Sequence, residues 1–186
     1  MVESVAACIK KYFALPSRHV VYHLAEGEAV HLNLPRDGLY HLLGLQYLRH
    51  IPLLQNTKAK LPILKKISRG EILQQQIASG CSYAENVEDR VTYFDDFHRF
   101  FEDGQCKELV RFNPKAVSRT PGGSQIEADY MLYLALNENE KEYLHLFLRV
   151  NPADGNAYPC SFFYRANNDF LKGQRKRIPI EKVELL

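Results

Sequence analysis

The sequence predicts an α+β domain in which an antiparallel β-sheet, made of an N-terminal hairpin and a C-terminal meander, carries a helical block on one face. Three observations lead there. Apolar and polar residues alternate near the N-terminus and again through the last third, while the middle shows helical spacing. The turns between predicted strands are short, which requires antiparallel neighbours. A chain of 186 residues, 46% hydrophobic and 25% charged, has the size and make-up of one globular domain over 1–186.

Residues 5–13 read as a helix halted before Pro16. Residues 19–25 and 29–34 alternate as two strands, with Glu26-Gly27-Glu28 as their hairpin turn. Pro35-Arg36-Asp37-Gly38 breaks the sheet, and Asp37 is placed to cap a helix running to about His50. Pro62 suits an early helical position, and Ile63, Leu64 and Ile67 supply that helix's apolar side before Gly70. A further helix covers residues 71–79 and stops at Gly80. Asn86 is a candidate cap for the last helix, which ends near Gly104 and carries Val87, Val91, Phe94, Phe97, His98 and Phe101 in one stripe. Strands follow at 108–112, 125–136, 142–150 and 158–165. Residues 137–140 and 151–157 turn the last three, and 113–124 form the one long loop.

Composition narrows the function classes. No run of about 18 apolar residues is present, which argues against a transmembrane helix, and the first residues make a poor signal peptide. The four cysteines are scattered without a CxxC, so reduced thiols in a cytoplasmic protein are the simpler reading. The net charge of +2 hides two basic zones: Lys58, Lys60, Lys65, Lys66 and Arg69 in the middle, and Lys172, Arg175, Lys176 and Arg177 near the C-terminus. Acids gather at 85–96 and 138–142. Such zones either attract phosphate or are solvated faces of a helix and a tail. HExxH, Walker, GxGxxG and GxSxG patterns are all missing. Neither a metal nor a cofactor is therefore expected.

Polar misfits are the positive signal. His41 interrupts an apolar helix, and Asp129, His145, Arg149 and Ser161 interrupt apolar strands. By strand alternation Leu144, Leu146, Leu148 and Val150 share one face, and Tyr143, His145, Phe147 and Arg149 share the other. An aromatic face with sparse Arg, His, Ser and Asp, if open, suits base stacking and phosphate contact. The competing reading has the hairpin or a partner chain covering it. His98, on an apolar stripe, reads as a hydrogen-bonded core histidine.

The segment Tyr40-His41-Leu42-Leu43-Gly44-Leu45 resembles the helical FHHLTG signature of a phage-associated nuclease superfamily named for barnase, EndoU, colicins and RelE, in its fourth subgroup. Further segments fall in the same order. They are Ile67-Ser68-Arg69-Gly70-Glu71-Ile72, Ser79-Gly80-Cys81-Ser82-Tyr83, Glu88-Asp89-Arg90-Val91 and Ala128-Asp129-Tyr130-Met131-Leu132. Leu146-Phe147-Leu148, Cys160-Ser161-Phe162-Phe163 and Asn168-Asp169-Phe170 complete the set. Gln46-Tyr47 replaces a more usual His-Lys pair, and Leu43 stands where Thr is common. The resemblance implies a small α+β nuclease-like fold and a toxin of phage or bacterial origin, often acting on RNA. It brings no assigned catalytic set.

Metal-independent RNA cleavage needs a base for the ribose 2′-OH, an acid for the 5′-oxygen and cations on the phosphorane. Imidazole and guanidinium suit those roles. The expected assignment is His41 as general base or acid, Arg90 as phosphate clamp and Ser161 as an orienting hydroxyl. His145 and Arg149 are second candidates from the aromatic face, and Lys65, Lys66, Arg69 and Tyr164 are expected to hold the strand. RNA is the expected partner, with a possible protein antitoxin or immunity partner. The alternative is a non-catalytic module that binds single-stranded nucleic acid or a protein on a degenerate nuclease fold.

Overall fold

The computed structural model describes residues 4–25, 27–117, 123–137 and 141–186. The turns expected at Glu26-Gly27-Glu28 and 137–140, and the loop at 113–124, therefore lie partly outside the described residues. The chain gathers into two compact units: Met1–Pro16 with Pro35–Phe97, and Ser17–Leu34 with His98–Leu186.

The first unit is helical. Helix α1 (Val5–Phe13) opens on Ser4, whose hydroxyl accepts from the Ala7 N–H at 3.2 Å, and it buries Val5, Cys8, Ile9 and Tyr12. The rest of the unit is a set of short helices: α2 (Leu39–Leu42), α3 (Lys60–Ser68), α4 (Gln74–Ala78), α5 (Cys81–Asn86) and α6 (Glu88–Thr92). Such short helices are marginal alone, so buried side chains and cross-links hold them. Ile63, Leu64 and Ile67 of α3 are buried, as the spacing predicts. The Val5 N–H donates to Gln74 Oε1 at 3.0 Å, and the Tyr12 hydroxyl to the Pro35 carbonyl at 3.1 Å.

Three helical expectations are corrected here. The helix expected from Asp37 to His50 ends after Leu42, and its N-cap is Gly38 without a side-chain cap. Asn86 closes α5, its amide donating to the Ser82 carbonyl at 3.1 Å, and caps nothing downstream. The helix expected to reach Gly104 gives way to a 3₁₀ stretch over Phe94–Phe101. That stretch buries Phe94, Phe97, Phe100 and Phe101. His98 is exposed and pairs with Glu102 at 3.3 Å, so it is not the core histidine that 3.6-residue spacing suggested.

The second unit is a β-barrel. Its strands are β1 (His19–Leu24), β2 (Ala29–Asn33), β3 (Glu108–Arg111), β4 (Tyr130–Ala135), β5 (Tyr143–Val150), β6 (Ala157–Arg165) and β7 (Arg177–Leu185), and a short helix α7 (Asp169–Lys172) precedes the last. The order β1-β2-β6-β5-β4-β3-β7 closes on itself through β7 and β1. All pairings are antiparallel except the contact of β2 with β6, Leu32 opposite Ala157. Segregated helices and a mostly antiparallel sheet make the chain α+β, as the sequence pattern predicts.

β7 is the strand that the basic cluster and Pro179 conceal. Its pairing with β1 shifts register between His23 and Leu24, which face Lys182 and Ile180 and leave Glu181 as the extra residue. Pro179 stands opposite Glu108 of β3. Closure also changes the meaning of β5, where Tyr143 through Leu148 are all buried. The aromatic face read as open is covered within its own unit by Phe112, Val117, Phe170 and Leu171. Phe147 lies 4.9 Å from Phe112, 5.2 Å from Phe163 and 5.6 Å from Phe170, centroid to centroid. Phe147→Ala should cost about 3–5 kcal/mol of stability; a loss under about 1 kcal/mol in denaturant titration would mean the cluster does not hold the barrel unit.

Candidate functional site

Helix α2 is a single turn with Leu39, Tyr40 and Leu42 buried, which leaves His41 half-buried at its side. The Tyr40 ring stands edge-on to the imidazole at 5.7 Å, and its own hydroxyl donates to the Leu54 carbonyl. The helix stops because Gly44 adopts φ +72°. A Cβ there would lie 2.6 Å from the Asn86 carbonyl oxygen and 3.2 Å from Arg90 Nε. The carbonyls freed at this end need donors. The Gly44 N–H donates to the His41 carbonyl at 3.0 Å, and Arg90 Nη1 donates to the Leu42 carbonyl at 3.0 Å while reaching the His41 carbonyl at 3.5 Å. The cation also suits the negative end of the helix. Arg90, expected as the phosphate clamp, thus holds the backbone beside His41.

Burial, together with the nearby Lys60 ammonium, holds the His41 imidazole below its usual range, while the Gln46 side chain and Asp37 pull the other way. The neutral ring is thus the form present at pH 7, ready to accept a proton. Asp37 and Lys60 also line a cleft of about 360 Å³ with Arg36, Lys58, Leu61 and Pro62. Arg36 is steadied there by the Phe13 ring, 5.4 Å from its guanidinium carbon. Of the cleft's charged groups, Lys60 and Asp37 act on the His41 ring, and a neutral base near a cation suits phosphate chemistry. Lys58 and Lys60 belong to the basic stretch visible in the sequence, but Arg36 sits in a turn where nothing distinguishes it from a solvated charge.

The other predicted residues divide between the units. Lys65 and Lys66 are exposed on α3, and Arg69 is exposed 3.9 Å from Glu71. Arg149 pairs with Glu127 at 3.2 Å, and the Tyr164 hydroxyl donates to Glu142 at 2.6 Å. Ser161 is half-buried on β6 opposite Phe147, so its neighbour across the sheet is apolar. Asp129, a misfit in the sequence, accepts from the Val150 N–H at 2.7 Å. Structure thus brings His41 and Arg90 together on the helical unit, and sets His145, Arg149, Ser161 and Tyr164 on β5 and β6 of the barrel unit. Among the described residues no three His, Cys, Asp or Glu side chains gather to hold a metal, and no helix is long and apolar enough to cross a membrane.

His145 is corrected most sharply. It is fully buried, ringed by Tyr143, Phe147, Phe163 and Phe170 at 5.5–6.2 Å, and neither ring nitrogen has a hydrogen-bond partner among the described residues. Burial, and then the Arg165 guanidinium, push its pKa down to about 3. A sealed, neutral ring has no access to a substrate proton. The unfolded chain binds a proton at this ring below about 6.5 and the folded chain does not until about 3, so folding loses stability as pH falls through that window.

Two outcomes follow from these geometries. The stability gap between His145→Leu and wild type should widen in favour of the variant by roughly 1.4 kcal/mol per pH unit below 6.5. A gap that stays constant between pH 7 and pH 4.5 would show that the ring titrates normally in the folded state. Gly44→Ala should lose at least about 1–2 kcal/mol through left-handed strain alone, and its thermal midpoint checks this. An unshifted midpoint would mean that the turn reorganises freely.

A sequence-family model described as phage-Barnase-EndoU-ColicinE5/D-RelE like nuclease4 matches residues 4–182. The match takes in the His41 helix, Arg90 and the barrel strands through β6, and it ends inside β7. No curated protein and no solved structure matches the chain. With almost its whole length covered, the chain belongs to the phage-Barnase-EndoU-ColicinE5/D-RelE like nuclease4 family.

Proposed function

We propose that this chain is an endoribonuclease whose reacting group is His41, acting without a metal. The observation that carries the reading is a half-buried imidazole held neutral by burial and by Lys60, a residue of the cationic cleft, in a member of a nuclease family. In this reading His41 takes the proton of a ribose 2′-OH. The 2′-oxygen attacks the adjacent phosphorus, the bond to the 5′-oxygen breaks, and a 2′,3′-cyclic phosphate forms. The cleft cations offset the charge on the phosphorane oxygens, and the departing 5′-oxygen takes its proton from water. The family setting makes toxin action in a bacterial cytoplasm the biological frame, with a protein antitoxin or immunity protein as partner.

One observation favours a second reading. Gln46, where the resembling signature usually has His, is the side chain that acts on His41. An amide cannot transfer a proton, so a chain that has lost one imidazole suits a binding module on a degenerate nuclease fold.

His41→Ala with unchanged circular dichroism should lower cleavage of a labelled RNA by about 10²–10⁴-fold. The wild-type rate should rise with pH along a limb whose midpoint lies below 6.5, because the folded pKa of the base is lowered. Equal cleavage by wild type and variant would remove His41 from the chemistry. RNA binding without fragments from either protein would favour the binding module.

A further inference from the structure

The basic cluster near the C-terminus does not behave as a tail. Arg177 is tied down, its Nη2 donating to the Leu171 carbonyl at 2.6 Å and its Nη1 lying 3.7 Å from Glu108. Arg175 and Lys176 instead line a cleft of about 620 Å³ with Arg111 and Lys115. All of these residues lie in the barrel unit, and among the described residues the cleft lining contains no acid.

The cleft is built, and Gln174 is what builds it. Its side chain is only 5% exposed and grips Asn113 at two points. The Asn113 N–H donates to Gln174 Oε1 at 2.9 Å, and Gln174 Nε2 donates to the Asn113 carbonyl at 3.0 Å. This fastens the turn that carries Lys115 to the connection that carries Arg175 and Lys176. The two segments press so closely that a Cβ on Gly173 would lie 2.1 Å from the Ala116 carbonyl oxygen. Below them the Arg111 N–H donates to the Lys176 carbonyl at 2.9 Å. Glu28 engages Arg111 Nη2 at 2.9 Å, yet Arg111 Nε stays buried with no partner among the described residues. A scaffold that fixes cations around one hollow maintains their mutual repulsion, which a bound polyanion would relieve.

The shape selects the ligand class. The hollow is open, and every charged side chain that lines it among the described residues is a cation. Lys115, Arg175 and Lys176 spread around about 620 Å³ offer contacts to successive phosphates of a strand. No aromatic side chain among the described residues lines it to stack or read bases. We propose that this cleft anchors the phosphodiester backbone of a nucleic-acid strand, independently of sequence, on the barrel unit. As a substrate anchor it rests on the nuclease reading above; as a binding site it stands on its own geometry.

The test uses the full chain and a fluorescein-labelled, 2′-O-methylated oligouridylate of about 20 nucleotides, which 2′-OH attack cannot cut. Anisotropy titrations across a salt series compare wild type with Lys115→Ser/Arg175→Ser/Lys176→Ser, three exposed positions whose replacement leaves the barrel core intact. Removing three phosphate contacts should flatten the slope of log K against log salt by about 2, since each single-strand contact contributes roughly 0.7. A mixed-sequence oligonucleotide should show the same change. An unchanged slope, no binding by wild type, or binding to anionic phospholipid vesicles in place of the oligonucleotide would overturn the proposal. Cleavage of unmodified RNA separates the two readings. A flattened slope without any cleavage keeps the anchor and discards the nuclease. Cleavage with an unchanged slope and unchanged KM discards the anchor alone.

Discussion

The candidate site depends on a helix that must end after one turn. Because Gly44 takes a left-handed conformation against the Asn86 carbonyl, its N–H closes on the His41 carbonyl and the Leu42 carbonyl is left for a side-chain donor. Arg90 answers it, and in doing so ties α6 to α2. The motif His41-Leu42-Leu43-Gly44 thereby acquires a physical meaning. Leucines bury the turn, glycine stops it, and histidine is the one side chain of the four that keeps contact with solvent. Lose the stop and the helix runs on, which rotates every later residue and detaches Arg90 from its acceptors.

The barrel unit follows a different constraint, namely that closure leaves little uncovered surface near β5. An open sheet has one face for the core and one for water, and on that premise an aromatic face with a histidine looks like a binding platform. In a closed barrel one face turns inward, and here the other is roofed by Phe112, Val117 and α7. His145 is then a polar atom pair in a dry cluster, costly to folding and useless to a substrate. The same roof leads to the anchor cleft. The segment that brings Phe112 and Val117 over the sheet also carries Asn113 and Lys115 to Gln174.

How legible the sequence was depended on whether a signal was local. α1 and the strands β1, β2, β3, β5 and β6 lie where alternation and breakers put them, because period-two patterning and Pro or Gly punctuation act over a few residues, whereas the strand expected over 125–136 starts only at Tyr130. β7 escaped because Pro179 and its flanking charges are strand-breaking locally, while its partners β1 and β3 lie far away in sequence. The 3₁₀ stretch at Phe94–Phe101 escaped because Phe residues spaced by three satisfy a helical stripe of either period. His41 and Arg90 were readable as a pair, but their roles were not. Nothing local shows that a guanidinium will meet backbone carbonyls before it meets phosphate. Likewise Arg36, Lys58 and Lys60 become one cleft only when the chain folds.

The charges around His41 bear on the order of proton transfers. Lys60 lowers the proton affinity of the ring and Gln46 raises it, so the imidazole gains a proton most readily when negative charge builds up beside it. In the proposed reaction a phosphorane forming beside Lys60 would supply that charge at the moment the 2′-OH must be deprotonated. Lys60, which adds to burial in keeping the ring neutral beforehand, would then be offset by the reacting phosphate, and its hold on the ring would relax. A base tuned in this way would be strongest in the transition state. It would need no second imidazole to take the first proton, so the amide at Gln46 would weaken only the later step, protonation of the departing oxygen, which water can serve.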